Sequence, residues 1–239
     1  MENLQQKTAY VTGGSKGIGF GIAEKLLENG VNVIITSRHQ DSASEAADRL
    51  NDKGYPGHCI GTEADVRDLH SQQDAVKLAT DTYGGLDIVV ANAGIGHFAP
   101  VQEMTPEQWN ETIDINLTGV FNTVKTTVEP LIKSKGYLFT IASLAGTNFF
   151  AGGAAYNASK FGLVGFTQAV MLDVRKHEVK VSTIMPGSVA THFNGNEPGD
   201  DDAWKIQSED LGQLVVDLLK MPARTLPSKV EVRPAVPKS

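Results

Sequence analysis

Apolar residues along the chain follow two alternating rhythms. Short runs rich in β-branched residues occupy 8–12 (TAYVT), 31–36 (VNVIIT), 58–64 (HCIGTEA), 86–91 (LDIVVA), 136–142 (GYLFTIA) and 179–185 (VKVSTIM). Several are apolar on both faces, as strands buried from two sides must be. Between them, apolar residues recur at three- and four-residue spacing over 19–30, 42–54, 71–84, 107–134 and 155–177, which predicts helices. Gly30, Gly54 and Gly84 stand where helix carboxyl caps belong. A further helix over 208–220 (SEDLGQLVVDLLK) and a last short strand in KVEVRP follow. The prediction is an α/β fold, a doubly wound, mostly parallel seven-stranded sheet with helices on both faces. The irregular stretch is 192–207 (HFNGNEPGDDDAWKIQ), acidic and poor in aliphatic residues.

Composition narrows the picture. The 239 residues are 41% apolar and contain no linker-like tract, so one domain over 1–239 is expected. A net charge of -7 and a pI near 5.4 argue against a nucleic-acid surface. No apolar run is long enough for a bilayer, and the opening MENLQQKTAYV lacks the order of a secretory leader. Cys59 is the single cysteine, so neither an internal disulfide nor a cysteine-based metal site is expected, and a reducing cytoplasm suits it. It reads as a small buried hydrophobe, because no partner that would activate a nucleophile is evident.

The stretch TGGSKGIG, Thr12–Gly19, joins the first strand to the first helix, with Gly13, Gly17 and Gly19 in GxxxGxG spacing. A helix amino terminus offers unpaired N–H groups and partial positive charge, and glycine lets the backbone approach a pyrophosphate. In this strand–turn–helix context the bend predicts a dinucleotide site of the Rossmann kind. Binders of NAD usually place an acid about 20 residues further on, for the ribose 2′-OH. Here the second strand ends ITSRHQ, with Ser37 and Arg38 at that corner and the next acid at Asp41. Arg38, with Lys16 in the bend, would grip a 2′-phosphate, so the expected cofactor is NADP(H). Taken singly, either cation also reads as an ordinary solvated charge.

The sequence AAYNASKFG puts Tyr156 and Lys160 at i and i+4, on one helical face, and Ser143 falls just past the fifth strand. Reducing a carbonyl needs a hydride at carbon and a proton at oxygen. A free phenol, with a pKa of about 10, exchanges its proton poorly at neutral pH. Lowering that value by roughly 3 units takes about 4 kcal/mol. An ammonium about 4 Å away, at an effective dielectric near 20, supplies about that much. Lys160 is expected in that role, with Ser143 donating a hydrogen bond to the substrate oxygen.

With these motifs together the chain resembles the short-chain dehydrogenase/reductases of compact type. The likeness runs from about Lys7 to about Thr191 through TGGSKGIG, ADV, ANAG, DINLTGVFN, IAS, YNASK and PGSVAT, and it is similar to 3-oxoacyl-acyl-carrier-protein reductases. The resemblance implies Tyr156 as general acid/base, Lys160 also holding the nicotinamide ribose, and Ser143 positioning the carbonyl. It implies that Asn116 kinks its helix and holds a water that links Lys160 to solvent. It makes Gly13, Ser15, Lys16, Gly17, Ile18 and Gly19 the cofactor bend, with Ser37 and Arg38 beside it and no metal. Asp65 and Val66 would contact the adenine; Asn92, Ala93 and Gly94 would close over the adenosine side and steady the sheet. Pro186, Gly187, Val189 and Thr191 would wrap the nicotinamide.

The chain departs from the family pattern twice. It ends LPSKVEVRPAVPKS in place of the Gly-Gln and Asp-Gly-Gly seen near the last strand in many members, and the segment after Thr191, expected as a substrate lid over 192–207, is short and acidic. The expected function is an NADPH-dependent carbonyl reductase, or alcohol dehydrogenase in reverse, acting on a small molecule and assembled as a homodimer or homotetramer. Candidate substrates are 3-oxoacyl thioesters, small ketones, sugars and cyclic alcohols. The acidic lid does not favour a negatively charged carrier protein. The alternative is a non-catalytic NADP-sensing protein, whose expected mark is loss of the Tyr or Lys retained here.

Overall fold

The computed structural model describes residue 1 and residues 3–236; residues 2 and 237–239 of the expected 1–239 span lie outside the described residues. Its strands are β1 (Thr8–Val11), β2 (Asn32–Ser37), β3 (Cys59–Glu63), β4 (Ile88–Ala91), β5 (Tyr137–Ile141), β6 (Lys180–Pro186) and β7 (Lys229–Val232). They form one sheet in the order β3-β2-β1-β4-β5-β6-β7, and every pairing is parallel. The helices are α1 (Gly17–Glu28), α2 (Gln40–Asn51), α3 (Leu69–Tyr83), α4 (Pro106–Ile113), α5 (Gly119–Ser134), α6 (Ala154–Val174) and α7 (Ser208–Lys220).

Alternation along the strands explains the layers, because successive side chains point to opposite faces. Val11, Val33, Ile35, Ile88 and Phe139 pack with Ile22 and Leu26 of α1, Leu50 of α2 and Leu211 and Val215 of α7. Tyr10, Ile34, Val89 and Leu138 face the other way, against Val76 of α3, Val124 of α5 and Leu163 of α6. A parallel strand buried on both faces must be apolar throughout, which is why the strand runs were continuous. Gly30, Gly54 and Gly84 all take the positive φ expected of helix exits.

One expected helix is two. Residues 107–134 read as a single periodic stretch, but a π-helical turn over Asp114–Thr118 separates α4 from α5. There the Gly119 N–H reaches back five residues to the Asp114 carbonyl. The turn inserts one extra residue without ending the helix, so apolar periodicity passes through it. Segment 192–207 is irregular as expected, with short turns at Phe193–Gly195 and Asp200–Asp202, and an isolated bridge from Val189 to Ile206 ties its end to the loop after β6. Cys59 is buried on β3, and burial pushes its thiol up to about 12, far from a reactive thiolate. No helix among the described residues is long and apolar enough to cross a membrane.

Candidate active site

β1 and β4 lie side by side at the centre of the sheet, and the chain winds outward from them in opposite directions. Such a switch point opens a crevice at the carboxyl ends of the strands. A cleft of about 1070 Å³ lies there. It begins at the glycine bend. Gly13 has φ +63°, and a Cβ on it would stand 3.0 Å from Ala93 Cα. Gly19 does not line the cleft; it lies beneath the bend, where a Cβ would meet the Gly13 carbonyl oxygen at 2.5 Å. Glycine at these positions lets α1 begin directly under the bend. Lys16 is the amino-cap residue of α1 and makes no capping bond with its side chain. Gly17 and Ile18 of the first turn line the cleft, where unpaired helix-terminal N–H groups suit an anionic group.

Thr12 and Asn92 weld the two central strands at this point. The Thr12 hydroxyl accepts from the Asn92 and Ala93 N–H groups at 3.0 and 3.1 Å. The Asn92 side chain donates to the Thr12 and Gly13 carbonyls at 2.9 and 3.0 Å. Asn92 thus bridges the ends of β1 and β4, and Thr12, its partner, was missed by sequence reasoning. Ser15, Lys16, Gly17, Ile18, Ser37 and Arg38 line the same end, together with Asp65, Val66, Ala93 and Gly94. Asp65 is held by Arg67 Nη2 at 2.6 Å, and that guanidinium, with a smaller contribution from Arg38, keeps its carboxyl below the usual range. Arg38 and Lys16 are exposed.

Sequence reasoning also missed Ser42, Glu45, Ala46 and Arg49, which line the cleft from α2. Their i, i+3, i+4, i+7 spacing is a legible sign of one helical face, and that helix leaves the Arg38 corner. The Arg49 guanidinium stacks over the Phe20 ring at 4.8 Å.

At the other end of the cleft stand Ser143, Tyr156 and Lys160, with Pro186, Gly187, Val189 and Thr191 opposite. Ser143 follows β5 with an extended backbone, and its hydroxyl accepts from the Ala145 N–H at 3.1 Å. Lys160 is buried and donates to the Ile141 carbonyl at 3.0 Å. Asn116 stands behind the cleft wall rather than in it: its Oδ1 accepts from Ile95 N–H at 2.8 Å, and its Nδ2 donates to Ile95 O and Ser159 Oγ. Asn116 Oδ1 and Lys160 Nζ both approach Gly94, 3.3 and 3.6 Å from where a Cβ would lie.

The electrostatics differ from the expectation of a phenol made acidic by Lys160. Burial raises the Tyr156 phenol above its ordinary 10.0, and the nearby Ser143 hydroxyl only partly offsets this. The Lys160 ammonium lies 5.6 Å from the phenol ring centre and is turned to the Ile141 carbonyl. Burial lowers Lys160 itself to about 8. Desolvation is the dominant influence on both groups.

Residues 7–202 match the family model described as short chain dehydrogenase. The 3-oxoacyl-(acyl-carrier-protein) reductase FabG of Vibrio cholerae is 34% identical over 235 residues, covering 98% of this chain and 89% of its own. The alcohol dehydrogenase of the archaeon Thermococcus sibiricus, solved with 5-hydroxy-NADP, superposes with a TM-score of 0.89 at 26% identity, covering 98% of both chains. A metagenomic short-chain oxidoreductase in complex with NADP gives 0.84 at 30% identity, covering 98% of this chain and 99% of its own. The chain therefore belongs to the short-chain dehydrogenase family of oxidoreductases.

Proposed function

We propose that the protein is an NADPH-dependent carbonyl reductase. The observation that carries this reading is the continuity of one cleft, from the uncapped start of α1 and the Arg38 corner to Ser143, Tyr156 and Lys160. The cleft fits an extended dinucleotide: N–H groups and cations at one end, a proton donor at the other. Arg38 and Lys16 hold the 2′-phosphate, the glycine bend the pyrophosphate, and Lys160 the nicotinamide ribose. When bound, NADPH supplies the hydride for a carbonyl carbon.

The chain's own residues handle the proton. With a raised pKa, Tyr156 keeps its proton at neutral pH, the state in which it can donate to a substrate oxygen. Ser143 steadies the charge developing on that oxygen. Lys160, at about 8, is mostly ammonium at neutral pH and returns positive charge to the site once the phenol has given up its proton. Asn116 positions the loop after β4 against Lys160 through Ile95.

In this reading the chain acts as one cytoplasmic domain, with 192–207 as the substrate lid. Exposed Trp109, Phe121, Phe161 and Leu172 on α4, α5 and α6 support a homo-oligomer. The test is NADPH oxidation with a panel of ketones, aldehydes and 3-oxoacyl thioesters. No oxidation beyond background with any of them, despite tight NADPH binding, would return the protein to the sensor class.

A further inference from the structure

Two loops from different strands each bring a phenylalanine against Tyr156, and a third loop packs a phenylalanine on one of these. Phe98 follows β4, Phe150 follows β5 and Phe193 follows β6. The ring of Tyr156 meets Phe98 edge-on at 5.3 Å and Phe193 at 5.8 Å. Phe98 in turn contacts Phe150 at 5.8 Å and Phe193 at 6.4 Å. These are the separations and tilts that aromatic rings prefer.

The wall is built rather than accidental. The Ala99 N–H donates to the Gly152 carbonyl at 2.9 Å, tying the Phe98 loop to the Phe150 loop. Asn157, buried on α6, donates to the Ala145 and Asn148 carbonyls at 2.8 and 2.7 Å and accepts from the Phe150 N–H. Of the three, Phe193 lines the cleft with Tyr156, and Phe98 and Phe150, 42% and 48% exposed, extend the ring cluster from it to the surface.

Charge at this end does not invite an anion. The lysines and arginines lining the cleft away from the glycine bend, the Arg38 corner and α2 are Lys160 and Lys205 among the described residues. The first is buried and the second is paired with Asp202 at 2.7 Å. Glu111 also lines the cleft, paired with His97 at 2.8 Å. An anionic group meets no unpaired lysine or arginine at this end among the described residues, whereas a flat neutral ring gains stacking against the phenylalanines.

We infer that Phe98, Phe150 and Phe193 form a substrate subsite selecting neutral carbonyl compounds that carry an aromatic ring, such as aryl ketones. The inference rests on the reductase reading above and assigns its substrate class. Phe98 and Phe150 are the specificity-determining residues, because neither is a proton donor and neither lines the cofactor end of the cleft.

The experiment separates the subsite from turnover. An aryl amide, whose carbonyl is not reduced, is titrated into the enzyme with NADP bound and compared with an aryl-free amide and a 3-oxo acid of similar size. The aryl amide is expected to bind at least about tenfold more tightly than either. Phe98→Ala and Phe150→Ala should each lose most of that preference while NADPH affinity, the check on folding, is unchanged, and Phe98→Tyr should retain it. Equal binding of all three ligands, or a preference that survives both alanine variants, overturns the subsite. In turnover, aryl ketones should exceed 3-oxo acids and 3-oxoacyl thioesters in kcat/KM by about tenfold or more, and the reverse order also overturns it. Aryl-selective binding that depends on Phe98, with no carbonyl reduced, supports the subsite and sinks the reductase reading instead.

Discussion

The side-chain amide of Asn116 and the backbone of Ile95 exchange two hydrogen bonds, at 2.8 Å into Oδ1 and 2.9 Å from Nδ2. One amide thereby replaces the strand neighbour that Ile95 lacks once β4 has ended, and it does so from a π-helical turn. The extra residue in that turn is what aims Asn116 at the loop instead of along the helix surface.

Because Asn116 is fully buried, Asn116→Leu leaves the Ile95 N–H and C=O without those partners. Stability should fall by roughly 2–4 kcal/mol, measured as a lower denaturant midpoint at unchanged slope. A loss under about 0.5 kcal/mol would show that water replaces the amide without cost.

Tyr156→Phe removes the hydroxyl and little else, since the ring contacts with Phe98 and Phe193 survive. The rate constant for carbonyl reduction should drop by about a hundred- to ten-thousandfold, with NADPH affinity within about twofold. A variant retaining more than about a tenth of the wild-type rate takes Tyr156 out of proton transfer.

Arg38 is exposed at the end of β2 and lines the cleft. Arg38→Asp exchanges a phosphate grip for repulsion, so NADPH should bind more than about tenfold more weakly. NADH, which has no 2′-phosphate, should bind the variant no worse than wild type. Equal affinity of the wild type for both coenzymes, by fluorescence titration, contradicts the NADPH preference.

Lys160 falls from an ordinary 10.5 to about 8 on burial, so the folded protein releases this proton more readily than the unfolded chain. Between about pH 8 and pH 10.5 the unfolded state binds more protons here, and stability rises with pH through that window. Below pH 8 the buried ammonium costs its full amount, roughly 3 kcal/mol. The stability of wild type relative to Lys160→Met should therefore climb by about that much from pH 8 to 10.5. Parallel profiles for the two proteins would mean that the ammonium is not desolvated in solution.

Phe121 on α5 and Leu172 on α6 are 49% and 58% exposed, and the Phe121 ring rests against Phe166. If this face joins subunits, the wild type sediments as a multiple of 25.6 kDa, and the double variant Phe121→Asp, Leu172→Asp shifts toward the monomer. A monomeric wild type ends that proposal.

Much of the architecture was legible because its causes are local. Strands buried on both faces must be apolar without interruption, and VII at 33–35 and IVVA at 88–91 are. The glycine bend could be read because Gly13 needs a positive φ at a strand–helix junction. The face bearing Ser42, Glu45, Ala46 and Arg49 was equally readable by spacing, although composition drew notice only to Arg38. The break between α4 and α5 was not, since a π-helical turn leaves the apolar rhythm intact on either side.

The order of strands and helices, the bend at Gly13 and the shared face of Tyr156 and Lys160 follow from the chain alone, because each depends on residues a few positions apart. The cluster of Phe98 and Phe193 on Tyr156, with Phe150 on Phe98, does not, since it joins loops from three strands. Nor does the proton affinity of Tyr156. Spacing brings an ammonium near the phenol, but burial, a property of everything packed around it, pushes the phenol the other way.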